Sequence, residues 1–154
     1  MMKSVFILLF LTQAVSALAA DEPVKPVNTD SAGLALKGYD AIAYFTAGKP
    51  VQGSTAHEYQ WAGATWRFAS AENRERFAQD PEAYAPQFGG YCAWAVSRNY
   101  TADIDPQAFD IVNGKLYLNY SKLVQLRWKV QRDQNIRKAE QNWPKLTQPA
   151  KGTK

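Results

Sequence analysis

Phe88-Gly89-Gly90-Tyr91-Cys92-Ala93-Trp94 holds the single cysteine of the 154-residue chain, and two adjacent glycines just before it let other backbone approach closely. A lone cysteine closes no disulfide within the chain, so whatever fold forms must be held by its core alone. Cys92 is then a buried apolar side chain, a reactive or metal-binding thiol, or one half of a bridge that makes a homodimer.

Residues 1–20 read as a cleaved signal peptide: Lys3 supplies a short positive start, residues 5–11 an apolar run, and Ala17-Leu18-Ala19 a small-x-small exit. A bilayer span takes about 20 apolar residues, so no stable membrane insertion is expected, and the mature chain is expected to be periplasmic or secreted. Removing 1–20 leaves 134 of the 154 residues, enough for one domain that buries roughly two-thirds of its unfolded surface. The formal charge of +4 falls to +3 without Lys3, and the basic residues are spread along the chain. That pattern excludes nucleic acid as a partner, which needs a concentrated basic face. It fits solubility or weak attraction to anionic surfaces.

The polar stretch 21–33, with Pro23 and Pro26, predicts a flexible lead-in. Order is expected from Leu34, with a turn at Gly38 and Asp40 entering a short strand over 41–45, where Tyr39, Ile42 and Tyr44 pack. Asp40 after a glycine turn suggests hydrogen bonds to local backbone. Residues 57–61 and 65–68 alternate around Ala62-Gly63-Ala64 and predict a β-hairpin. Its first strand puts His57, the one histidine, on a face with Tyr59 and Trp61. Ser70 predicts the cap of a helix over 71–78 with Phe77 inward, and Asp80-Pro81 a second short helix through Tyr84. The apolar residues 91–96 read as a buried helical turn or a short buried strand, with the helical turn preferred. Asn113-Gly114 predicts a second hairpin with Phe109, Ile111, Leu116 and Leu118 on one buried face. A long helix over 122–142 follows, with Leu123, Leu126, Val130, Ile136, Ala139 and Trp143 near helical spacing and Pro144 as its stop. The expected class is α+β: one small domain with short antiparallel β-hairpins, short helices and a long C-terminal helix.

Four separated motifs carry a resemblance. Gly38-Tyr39-Asp40-x-x-Ala43-Tyr44-Phe45, Trp66-Arg67-Phe68-Ala69-Ser70-Ala71-Glu72-Asn73-x-x-x-Phe77, Asp80-Pro81-x-x-Tyr84 and Gly89-Gly90-Tyr91-Cys92-Ala93 resemble the exported bacterial branch of the YHS domain family. The resemblance implies a signal peptide at 1–20, a lead-in at 21–33, a YHS-like domain at 34–146 and a flexible tail at 147–154. Metal-handling members show Phe-Cys-Ser-x-x-Cys-x-x-x-Phe and a further Cys-Gly-Met near the start. Here Ala69 and Asn73 stand where that cysteine pair would be, and residues 39–43 contain no thiol. The thiolate site is absent, and Cys92 with His57 is the replacement metal site that the remaining donors allow. A thiolate and an imidazole suit Cu(I) or Zn(II), and the soft sulfur favours copper as Cu(I).

The leading expectation is thus a periplasmic metal-binding domain for copper, working by ligation without turnover through Cys92 and His57. The alternatives are a small-ligand pocket lined by Tyr39, Tyr59, Trp66, Tyr91 and Trp94, a protein-interaction module with no metal, and a cysteine-dependent enzyme with Cys92 activated by His57.

Overall fold

The computed structural model describes residues 23–148, so that the expected signal peptide and most of the expected tail lie outside the described residues. It is an α+β domain of six helices and two antiparallel hairpins. In chain order these are α1 (Ala43–Thr46), β1 (Ser54–Trp61), β2 (Ala64–Phe68), α2 (Ala71–Gln79), α3 (Pro81–Tyr84), α4 (Ala93–Val96), β3 (Asp105–Val112), β4 (Lys115–Asn119), α5 (Lys122–Val130) and α6 (Arg132–Thr147).

Turn chemistry explains both hairpins. Ala62 and Gly63 join β1 to β2 with φ of 52° and 76°, and Asn113 and Gly114 join β3 to β4 with φ of 51° and 73°, the paired positive values that a tight hairpin turn needs. Tyr59 then faces Trp66 across the first ladder and Phe109 faces Leu118 across the second. Capping starts the helices as expected. Ser70 Oγ accepts from Asn73 N at 3.1 Å at α2, and Asp80 Oδ1 accepts from Ala83 N at 3.3 Å at α3, where Pro81 occupies the first turn.

Two apolar clusters flank the second hairpin. The first centres on Phe77, buried against Trp61, Trp66, Phe68 and Tyr59 with ring centroids 4.9–6.1 Å apart, and takes Leu116 and Leu118 from β4. The second joins Phe88, Val96, Val112, Tyr117 and Trp128 to Ala139 of α6. Strand β4 is buried on both faces, and only its first residue is exposed. Ile111, expected inside, is instead exposed at the turn end of the ladder.

Several expectations need correction. Residues 43–46 form a helical turn rather than a strand, because the Asp40 carboxylate gathers the N–H groups of Ile42 and Ala43 at 2.8 and 3.3 Å. The stretch from Pro23 to Gly33, expected to be flexible, is docked: Val27 is buried, and Asn28 N donates to the Gly89 carbonyl at 2.8 Å. Gly89 has φ of 61°, and a side chain there would meet the Pro26 carbonyl oxygen at 2.1 Å, so glycine is required by conformation and by space. The expected single C-terminal helix is two, broken at Gln131 with φ −130° and ψ 47°. Gln125 and Trp128 turn inward from α5, while Leu123, Leu126 and Val130 are exposed. Helix α6 also runs through Pro144 to Thr147.

Asp40 is the most demanding polar group in the core. It is fully buried, and its second oxygen, Oδ2, accepts from Ala69 N at 2.9 Å and from Asn73 Nδ2 at 2.7 Å, which ties the first turn of the domain to α2. Replacing it strands four donors. Asp40→Ala is expected to lower the unfolding free energy by about 3 kcal/mol or more, as read from urea denaturation, whereas Asp30→Ala at an exposed turn lowers it by less.

Candidate functional site

Cys92 sits at the start of α4, where backbone hydrogen bonds fix it from two sides: its own N–H donates to the Ala102 carbonyl at 3.0 Å, and its carbonyl accepts from Val96 N at 3.0 Å. The side chain is 1% exposed. Its Sγ accepts from Tyr120 N at 3.3 Å and faces Asn119 Oδ1 at 3.7 Å, and the same Oδ1 accepts from Trp94 N at 3.2 Å. Asn119 is itself buried, and its Nδ2 has no partner among the described residues.

A cleft of about 310 Å³ reaches this cysteine, lined by Cys92, Trp94, Tyr100, Tyr120, Val124 and Arg127 with Ala95 and Ala102 between them. Its walls are mostly apolar. Two cations stand near it: Arg98 lies over the Trp94 ring at 3.1 Å from the centroid, and Arg127 has no carboxylate partner among the described residues. Arg127 is exposed, so its charge is available at the mouth.

Burial pushes the Cys92 thiol up, above the usual thiol range, and hydrogen bonding by the backbone at Ala95, Tyr120 and Trp94 offsets this only in part. That shift favours the protonated thiol over the thiolate that a nucleophile or a metal ligand would be. His57 stands in the irregular stretch of β1 where the register shifts between Ser54 and Glu58. It does not line the Cys92 cleft and makes none of the sulfur's polar contacts.

The polar contacts of the Cys92 sulfur are one backbone N–H and one amide oxygen. Cu(I) would call for a second sulfur or an imidazole beside it. No group of three or more His, Cys, Asp or Glu that could hold a metal occurs among the described residues. The other location to test is that of the missing cysteine pair. Ala69 and Asn73 do come together with residue 40, as the motif spacing implies, but a carboxylate-to-amide knot fills the space between them. Both oxygens of Asp40 are taken by N–H donors.

The aromatic residues expected around a pocket divide between packing roles. Trp66 is buried in the first cluster, Tyr59 packs on Phe77, Tyr91 packs on Trp143, and of the five only Trp94 lines the cleft. Asn119, Tyr100, Tyr120, Val124 and Arg127 carry no site signal in the sequence. They reach Cys92 from up to 35 residues further along the chain, and local spacing carries no sign of such a meeting.

A protonated, enclosed thiol should react slowly. Alkylation of native protein by iodoacetamide at neutral pH is expected to run at least about a hundredfold slower than that of a free thiol, and to reach the free-thiol rate in denaturant. An equal native rate would show a thiolate at the surface.

No curated protein and no solved structure matches the chain. Residues 42–88, which hold α1, the first hairpin, α2, α3 and the Asp40-linked Asn73, match the family model of the YHS domain, and the match supports assigning this part of the chain to the YHS family.

Proposed function

We propose that this domain binds a small, largely apolar molecule carrying one anionic or acceptor group, in the cleft floored by Cys92, and that it does so without turnover. The observation that carries the reading is the cleft itself: about 310 Å³, the lower end of the range for ligand sites, apolar walls, and one unpaired cation at the mouth. Arg127 would take the anionic end, and Trp94, Tyr100 and Val124 would enclose the apolar body. A protonated thiol held by Asn119 and Tyr120 serves as a soft floor and supplies no nucleophile. The leader-like residues 1–20 support action outside the cytoplasm, in the periplasm or after secretion, as in the exported YHS branch.

Anilinonaphthalene sulfonate, an aromatic anion, provides a direct probe by fluorescence titration of the full chain. One-to-one binding is expected, weakened about tenfold by Arg127→Gln and abolished when Ala102→Trp fills the cleft, with Val130→Ser unchanged as a control outside it. Equal binding by wild type and the Ala102 variant would remove the cleft as the site.

Copper held by Cys92 and His57 is the second reading, favoured by the YHS match, whose segment includes His57. It requires β1 to bring the imidazole to the sulfur and the thiol to lose its proton. Cu(I) titration separates the two readings: one-to-one uptake lost in both Cys92→Ser and His57→Gln supports copper, and identical uptake in all three proteins sets it aside.

A further inference from the structure

The outer face of α5 is a ridge with no partner among the described residues. At about 100° per residue, Leu123, Leu126 and Val130 fall within a sector roughly 60° wide, on the side away from the buried Gln125 and Trp128. They are 59%, 62% and 82% exposed, and Tyr120, just ahead of the helix, is exposed as well. Single apolar side chains on a surface are ordinary. Three large aliphatic groups aligned on one helix and pointing straight outward mark an interaction surface.

Cations edge this ridge on both sides. Lys122 and Lys129 lie along one flank and Arg127 along the other, and α5 contains no acidic residue. Lys129 shares its charge with Asp110 at 3.0 Å. Lys122 donates to the Gln107 carbonyl and has no carboxylate partner among the described residues. Arg127 has no carboxylate partner among the described residues.

The charged edges decide which occupant fits. A second copy packed ridge to ridge would set the Lys122 and Arg127 charges of both chains along a shared apolar seam, where reduced dielectric strengthens their repulsion. An acidic protein would satisfy the charge but would need an apolar groove of its own in register. A lipid surface with anionic headgroups offers both chemistries at every point, acyl chains for the aliphatic groups and phosphates for the flanking cations. We propose that α5 docks this domain on an anionic lipid surface. Attachment is peripheral, reversible and sensitive to salt, because three aliphatic side chains and two unpaired cations are the whole contact. Tyr120, Val124 and Arg127 also line the Cys92 cleft, so docking brings its mouth to the lipid headgroups. The proposal holds whatever the cleft binds.

The test is co-sedimentation of the full chain with vesicles of phosphatidylcholine alone and of phosphatidylcholine mixed with phosphatidylglycerol. Leu126→Ser/Val130→Ser and Lys122→Gln/Arg127→Gln serve as variants, both at exposed positions and both checked for an unchanged melting temperature. The apolar residues 5–11 are common to all three proteins, so their contribution cancels. Wild type is expected to favour the anionic vesicles. The charge variant should lose roughly fivefold in partitioning per cation removed, and the aliphatic variant at least tenfold. Equal partitioning by wild type and either variant, or no preference for anionic lipid, overturns the proposal. So does a lipid-free dimer in sedimentation equilibrium that Leu126→Ser/Val130→Ser dissolves, since the ridge would then serve two copies of the chain.

Discussion

A buried carboxylate held by N–H donors sits at the junction on which the domain is assembled. Asp40 is fully buried, and four N–H groups surround it: two from the turn that it starts, one from the end of β2 and one from the side chain of Asn73 in α2. Burying a charge is costly unless every lone pair finds a donor, and here all the donors belong to backbone or amide groups fixed by secondary structure. The knot therefore sets where α1 begins and how α2 lies against the first hairpin. Phe77 then has a defined place among Trp61, Trp66 and Phe68. Positions 69 and 73 are where the resemblance to metal-handling relatives would put a cysteine pair. In this chain the Asp40 carboxylate bonds to both residues and so ties α2 to the first turn of the domain.

The chemistry of Cys92 follows from its surroundings in the same way. A sulfur placed between two helices and the end of β4 loses water on every side, and its thiol stays protonated. It contributes shape and one weak hydrogen bond to a cleft whose recognition elements come from other parts of the chain. The aromatic richness that suggests a pocket in the sequence turns out to fill volume: the Phe77 cluster absorbs Tyr59 and Trp66, and the second cluster takes Tyr117 and Trp128.

What could be read from the sequence was local. The two hairpins announce themselves through Ala62-Gly63 and Asn113-Gly114, and the starts of α2 and α3 through Ser70 and Asp80-Pro81, because each signal acts within four residues of the structure that it creates. Hydropathy misled where long-range bonds decide the facing. In α5 the aliphatic stripe suggested the inner face, yet polar Gln125 goes inside, since its Nε2 donates to the Phe109 carbonyl at 2.6 Å and to Asp110 Oδ2 at 2.7 Å. The docking of residues 23–33 was hidden for a similar reason. Its anchor, the Asn28 bond to Gly89, spans 61 residues of chain. The Cys92 site was legible only as an unusual residue, because Asn119 and Tyr120 meet it from the far end of a strand.

The double burial of β4 has a consequence for where this domain begins and ends. Residues 42–88 match the YHS model, yet Leu116 and Leu118 sit in the same cluster as Trp66 and Phe77, and Tyr117 on the opposite side seals the other cluster. The recognisable module and the cooperative unit are thus different lengths of chain. Cut at residue 88, the module would present an open apolar wall. Both halves must therefore melt as one body, and a newly made chain gains lasting order only after its final third is available.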